Sequence, residues 1–201
     1  MPLTRERIAE CLAARAAESE VNPYPASILT GEQRPAAVLI AFTDIGGEWH
    51  VLFIRRAENV NDRHSGQVAF PGGAFEPGDS DLVRTALREA HEEIGLPPAD
   101  VAVLGRMQQF ASVTNYSVTP VVGTISWPRE FRLQHEEVSR VFTIPYRWLA
   151  DAGNHEIRER VVAVNEPPIP IVYFRDYDGE MLWGASARMM LNLIQALGSE
   201  G

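Results

Sequence analysis

Several features that mark whole classes of protein are missing from this chain. It carries one cysteine in 201 residues, so no intrachain disulfide can form. That residue, Cys11, stands among Ala and Leu and reads as a packing residue rather than a reactive thiol. No segment reaches the roughly 18–20 consecutive apolar residues of a transmembrane helix. The N-terminal stretch MPLTRERIAECLAARAAESE has no apolar core of the kind a secretory leader carries. Positive charge is short as well: 18 Lys and Arg against 27 Asp and Glu leave a formal net charge of −9. Nonspecific binding to nucleic acid or to an anionic membrane needs basic patches, so neither partner is expected. The expectation is a soluble cytoplasmic protein, and any anionic substrate must be drawn in locally against an unfavourable overall field. Repeats, low-complexity tracts and long linkers are also absent. With 45% hydrophobic and 22% charged residues, the composition suits one globular domain over 1–201 with a substantial core.

Strand and helix patterns interleave along the chain. Residues 4–20 read as an amphipathic helix that Thr4 can cap, followed by a connector to about residue 35 rich in Pro and Gly. This N-terminal part covers the core, forms a homodimer contact or shapes a pocket. The apolar run 36–42 and the segment 49–55 read as two strands of a hairpin turning at Asp44-Ile45-Gly46-Gly47. A third strand is expected at 67–70, running into a Pro71-Gly72-Gly73 turn. Further strands are expected at 101–110, 118–126, 141–145 and 170–174, and a closing amphipathic helix at 185–197. The stretch 145–170, with many prolines and charges, yields no clear element. Met107, Met181, Met189 and Met190 read as core filler. The interleaving points to an α/β fold with a mixed sheet covered on both sides by helices.

The most informative stretch runs from Gly73 to Leu96, GAFEPGDSDLVRTALREAHEEIGL. A Gly- and Pro-rich turn leads into a helix that stops at Gly95. At 100° per residue, Glu89, Glu92 and Glu93 fall within about 100° of one another. Val83, Ala86, Leu87, Ala90 and Ile94 gather on the other side. Like charges three and four residues apart cost an isolated helix a few tenths of a kcal/mol each. A cation offsets that cost, and Mg²⁺, which takes hard oxygen ligands and binds through one or two carboxylates plus substrate phosphates, is the natural candidate.

The run REAHEEIGL, preceded by a Gly-rich turn, resembles the Nudix box, G-x5-E-x7-R-E-U-x-E-E-x-G-U with U a bulky aliphatic residue. Arg88, Glu89, Glu92, Glu93, Gly95 and Leu96 match its second half, with Ala90 smaller than usual at U. In the first half Asp79 stands six residues after Gly73 where the family has Glu, and eight residues rather than seven separate it from Arg88. That insertion lowers the expectation of a role for the first acidic position and leaves the helical half intact. The resemblance implies the Nudix α/β/α sandwich and a hydrolase for diphosphates that join two organic groups.

A second segment, LFIRRAENVNDRHSGQVAFPGG, resembles the extra motif of the coenzyme A diphosphatase branch. Arg56, His64, Gly66, Gln67, Val68, Ala69, Phe70, Pro71, Gly72 and Gly73 match, while Ile54 and Ala57 differ and one extra residue separates Arg56 from His64. Adjacent strand residues point to opposite faces, so only one of Arg55 and Arg56 can face a given pocket. The resemblance favours Arg56, whose planar fork suits phosphate oxygens, and leaves Arg55 solvated or ion-paired. Downstream, Glu137, Val138, Phe142 and Pro145 resemble the family's E-V-x-x-x-F-x-x-P segment.

The resemblance implies these roles. Glu89 and Glu93 are ligands of Mg²⁺ or Mn²⁺. Glu92 is a third ligand or the group that takes the proton from water. The backbone carbonyl of Gly73 is a further ligand. Arg88 orients the carboxylates. Glu137, with Glu136 behind it, is the further carboxylate outside the box. Arg56, His64 and Gln67 contact the substrate. The products expected of the coenzyme A branch are 4′-phosphopantetheine and adenosine 3′,5′-bisphosphate. Two other readings compete: a Nudix hydrolase for ADP-ribose or a dinucleotide, and a Nudix fold kept as a non-catalytic binding or regulatory module. The last is disfavoured because all three box glutamates are present.

Overall fold

The computed structural model describes residues 3–15, 24–25, 28–29, 31–59, 65–161 and 167–198. A mixed sheet forms its centre. Strand β1 (Arg34–Ile45) turns back into β2 (Glu48–Arg56). The turn works because Gly46 and Gly47 take φ of 66° and 87°, while Asp44 Oδ1 accepts the Gly47 N–H at 2.7 Å. On the other side of β1 lies β7 (Tyr116–Ile125), parallel to it over ten register pairs from Arg34↔Tyr116 to Thr43↔Ile125. Strands β3 (Val68–Ala69) and β8 (Val138–Pro145) both pair antiparallel with β2. Strand β4 (Gly72–Ala74) pairs antiparallel with β1, and β5 (Ala102–Arg106) and β6 (Phe110–Ala111) pair with β7.

Alternation along the two central strands builds two cores. Ala36, Ile40 and Phe42 of β1 and Val51 and Phe53 of β2 face one side; Ala37, Leu39 and Ala41 with Leu52 and Ile54 face the other. The first side packs on Ile8 and Leu12 of α1 (Arg5–Arg15) and on Met190, Leu193 and Ile194 of α4 (Gly184–Leu197). The second packs on Ala86, Ala90 and Ile94 of α2 (Leu82–Ile94). The mixed α/β sandwich with helices on both faces is therefore present. No helix among the described residues is long and apolar enough to cross a membrane.

Several elements differ from the sequence expectation. Helix α1 is described only to Arg15, and residues 16–20 lie outside the described residues; at its start Thr4 Oγ1 accepts the Arg7 N–H at 3.2 Å. The Gly72–Gly73 stretch is a strand rather than a turn, because two glycines let β4 lie against β1: a Cβ on Gly72 would stand 2.4 Å from Ala37 O and 2.6 Å from Val38 Cα. The expected strand 101–110 is split into β5 and β6. The β5–β7 register shifts between Val103 and Gly105, the pairing ends at Arg106↔Val121, and β6 takes it up again at Phe110↔Val118. The stretch 145–170 contains α3 (Tyr146–Ala150) and β9 (His155–Arg160), whose exposed HEIRER pattern gives no alternation to read. With β10 (Ile169–Tyr177) and β11 (Glu180–Trp183), β9 forms a second, three-stranded sheet. Met189 and Met190 are buried, but Met181 is 50% exposed and is not core filler.

Candidate active site

Helix α2 is defined at both ends by its own side chains and glycine. Asp81 caps the start, its Oδ1 accepting the Arg84 N–H at 2.8 Å. Gly95 ends it at φ 67°, with its N–H bonded to His91 O at 2.9 Å, a left-handed cap that glycine adopts without strain. The carbonyls of Glu93 and Ile94 at this end accept the N–H groups of Gln134 (2.9 Å) and Arg132 (3.1 Å). Those bonds fasten the 131–137 segment to the helix and carry Glu137 to its flank.

The carboxylates do not form a separate solvent stripe opposite the apolar one. They form a graded row. Glu93 is buried with Ala86, Ala90 and Ile94, its exposure only 2%. The Glu89 side chain is 15% exposed and that of Glu92 57%. Glu93 sits beside Ala90 on the helix wheel, so the row begins inside the sheet–helix interface and runs outward.

Each carboxylate has a defined partner. Glu93 Oε2 accepts the Gly72 N–H at 3.0 Å. Glu89 Oε1 accepts from Arg88 Nη1 at 3.0 Å, and its carboxylate fills the space where a Cβ on Gly73 would sit, 2.5 Å from Oε1. Glu92 Oε2 accepts from the same Arg88 Nη1 at 3.0 Å. Arg88 gives its remaining donors to Asp79, Nε to Oδ1 at 3.0 Å and Nη2 to Oδ2 at 3.1 Å, and Nη2 also to Ala74 O at 3.0 Å. Asp79 is buried and accepts the Thr85 hydroxyl at 2.9 Å and the Glu76 N–H at 3.1 Å. The extra residue in the loop thus lets Asp79 fold back under the helix as the anchor of Arg88. Sequence reasoning gave Asp79 little weight; the signal for it was the Pro77-Gly78-Asp79 turn, which reverses the chain just before the N-cap.

Burial and mutual repulsion set the protonation energetics. Desolvation, reinforced by Glu89 and Glu137, pushes the Glu93 carboxyl up to about 8, against the opposing pull of the Gly72 N–H and of Arg56. Glu89 is raised by the same burial, with Glu92 and Glu137 adding to it and Arg88 opposing. The hydrogen bonds from Arg88 hold Asp79 down at about 2. Glu137, exposed on its turn, and Arg56, at the end of β2, therefore lie within electrostatic reach of the row. Arg55 turns the other way, to Glu180 at 3.5 Å and Glu58 at 3.7 Å. Gln67 is half-buried beside them, its carbonyl accepting the Arg56 N–H at 3.0 Å. His64 lies outside the described residues.

As the side chains stand, no group of three His, Cys, Asp or Glu among the described residues closes on one point that holds a metal ion. Arg88 engages Glu89 and Glu92 while the Gly72 N–H engages Glu93, so the three acids share a flank without sharing a centre. The donors themselves, carboxylate oxygens beside a glycine at Gly73 whose missing side chain lets the Glu89 carboxylate approach, have the chemistry that Mg²⁺ or Mn²⁺ takes.

Residues 33–177 match the NUDIX domain family. This chain belongs to the Nudix family. An uncharacterized Nudix hydrolase, NudL, from Yersinia pestis (strain Pestoides F) is 36% identical over 180 residues, 86% of this chain and 87% of the relative. NudL from Yersinia pseudotuberculosis serotype O:1b (strain IP 31758) matches to the same extent. Among solved structures, a MutT/nudix family protein from Enterococcus faecalis has a TM-score of 0.51 at 14% identity, covering 94% of this chain and 74% of its own. The M. smegmatis Nudix hydrolase RenU has a TM-score of 0.50 at 24% identity, covering 61% and 76%. At these identities the two structures speak for the fold alone. The protein is a Nudix hydrolase, an enzyme acting on pyrophosphate bonds.

Proposed function

We propose that this Nudix hydrolase splits the diphosphate of coenzyme A or its derivatives, giving 4′-phosphopantetheine and adenosine 3′,5′-bisphosphate, with Mg²⁺ or Mn²⁺ as cofactor. The observation that carries the reading is the bond from Gly72 N–H to Glu93 Oε2. It joins the last residues of the segment that resembles the coenzyme A diphosphatase motif directly to the carboxylate row of α2. Arg56, from the start of the same segment, lies within the field of Glu93.

In this reading Glu89, Glu93 and Glu92 hold the cation together with the carbonyl of Gly73. Bound there, a divalent ion neutralises phosphate charge and lowers the pKa of water. The chain's own residues do the rest. Arg88, fixed by Asp79, sets the directions of Glu89 and Glu92, so the row is organised before substrate arrives. Arg56 offers the phosphate a fork of donors and offsets part of the acidic field that an anionic substrate meets. Glu92 or Glu137, the two exposed acids of the site, takes the proton from the attacking water as the bond between phosphorus and the bridging oxygen breaks. Gln67 and His64 contact the substrate.

The test is steady-state kcat/KM with Mg²⁺ across coenzyme A, its thioesters, NADH and ADP-ribose. The reading expects coenzyme A or a thioester to lead. A clear lead for ADP-ribose or NADH transfers the enzyme to another substrate class, and hydrolysis of none of them contradicts the coenzyme A reading.

A further inference from the structure

Behind Arg56 at the end of β2 and Glu137 just before β8, two cations stand directly opposite each other. Arg55 of β2 pairs in register with Arg140 of β8. Like charges at such cross-strand positions repel. Glu180, the first residue of β11, separates them: its Oε2 lies 3.5 Å from Arg55 Nη1 and its Oε1 3.0 Å from Arg140 Nη1. Glu180 is 4% exposed, so its charge is desolvated and the two guanidinium groups are what compensates it. Arg140 is tied further to Asp178, by its side chain and by its carbonyl at 3.3 Å, and Arg55 to Glu58 at 3.7 Å.

The β2–β8 register shifts between Arg55 and Arg56, so the clamp grips the ladder at a bulge. Bulges beside active sites re-aim side chains. One residue on, the strand ends are joined by Ala57 N–H to Glu137 O at 2.8 Å and by Arg56 N–H to Gln67 O at 3.0 Å. The clamp therefore backs Arg56, Gln67 and Glu137 together.

We propose that Glu180 is a positioning residue of the pyrophosphate site: by neutralising the facing charges of Arg55 and Arg140, it keeps their repulsion from opening the bulge that presents Arg56 and Glu137 to the carboxylate row. This rests on the assignment of Arg56 and Glu137 to the site, not on which diphosphate is the substrate.

The test uses the full chain with Mg²⁺ and whichever diphosphate the wild type hydrolyses best, so a preference for a substrate other than coenzyme A revises that assignment without touching this one. Glu180→Gln keeps the side-chain size and removes the charge. It is expected to raise KM about tenfold with kcat within about twofold of wild type, and to speed hydrogen exchange at the Ala57 amide, a readout that needs no substrate. The double variant Glu180→Gln/Arg140→Gln restores both, because the repulsion is gone; a residue that merely filled space would not be rescued in this way. Unchanged KM and unchanged Ala57 exchange in Glu180→Gln overturn the inference, as does a double variant no better than the single one. Should Glu180→Gln fail to fold, the double variant decides: near-wild-type KM and Ala57 exchange support the inference, and raised KM or failure to fold overturns it.

Discussion

Arg88 clasps Asp79 with two parallel hydrogen bonds, Nε to Oδ1 at 3.0 Å and Nη2 to Oδ2 at 3.1 Å, and so ties the loop before α2 to the middle of the helix. Both side chains are largely shielded from water, so the charge-assisted bonds between them carry energy.

Acid titration reads that energy. Asp79 is held at about 2 in the folded protein, below its ordinary 3.8, chiefly by the Arg88 hydrogen bonds. A depressed acid contributes stability that is fully present above the unfolded value and is lost as pH falls through the folded one. Urea unfolding of the wild type and of Asp79→Asn should therefore differ by about 2 kcal/mol at pH 6, and the difference should shrink between about pH 4 and pH 2. A difference independent of pH over that window would show that the charge of Asp79 contributes nothing.

Glu93→Gln separates function from stability. The side chain sits at 2% exposure with one backbone donor, so its charge is costly to bury. Glutamine still accepts the Gly72 N–H without that charge. The account expects a melting temperature at neutral pH, measured without added metal, equal to or above wild type, and kcat reduced by about two orders of magnitude or more. Turnover near wild type would remove Glu93 from the proposed ligands.

Neighbouring glycines should fail in different ways. A Cβ at Gly72 meets backbone, Ala37 O and Val38 Cα, which cannot move without disturbing the β1–β4 pairing. Gly72→Ala should cost about 3 kcal/mol of stability. A Cβ at Gly73 meets only the end of the Glu89 side chain. Gly73→Ala should cost under about 1 kcal/mol while displacing Glu89 and lowering kcat. Equal stability losses with activity retained in Gly73→Ala would contradict the placement of Glu89.

Arg56→Ala should chiefly raise KM for the diphosphate substrate, because Arg56, at the end of β2, lies within the field of Glu93 whereas Arg55 is taken up by Glu180 and Glu58. The check is a Michaelis curve; an unchanged KM takes Arg56 out of the pocket.

Much of this was legible in the sequence for physical reasons. The β1–β2 hairpin announced itself through alternation and a Gly-Gly turn, and α2 through its 3.6-residue period and its glycine stop. The N-cap Thr4 and the ion-paired surroundings of Arg55 followed from local rules. What stayed hidden depends on contacts distant in sequence. Strand β4 looks like a turn until β1 lies against it. Glu93 looks like a surface acid until the sheet covers it. Strand β9, exposed along its length, has no hydrophobic period to read. Asp79 departs from the family spacing, and only the folded loop shows that the extra residue brings it under Arg88.

The α2 glutamates and the Gly72–Gly73 strand are proposed as the cation site of this pyrophosphate hydrolase. Anomalous diffraction from crystals grown with Mn²⁺ and a non-hydrolysable diphosphate analogue tests it most directly. The account predicts manganese peaks within about 2.0–2.3 Å of Glu89 and Glu93 carboxylate oxygens, with the analogue's phosphates on the same ions. Peaks bound elsewhere, with Glu93 still turned to Gly72 alone, would contradict it.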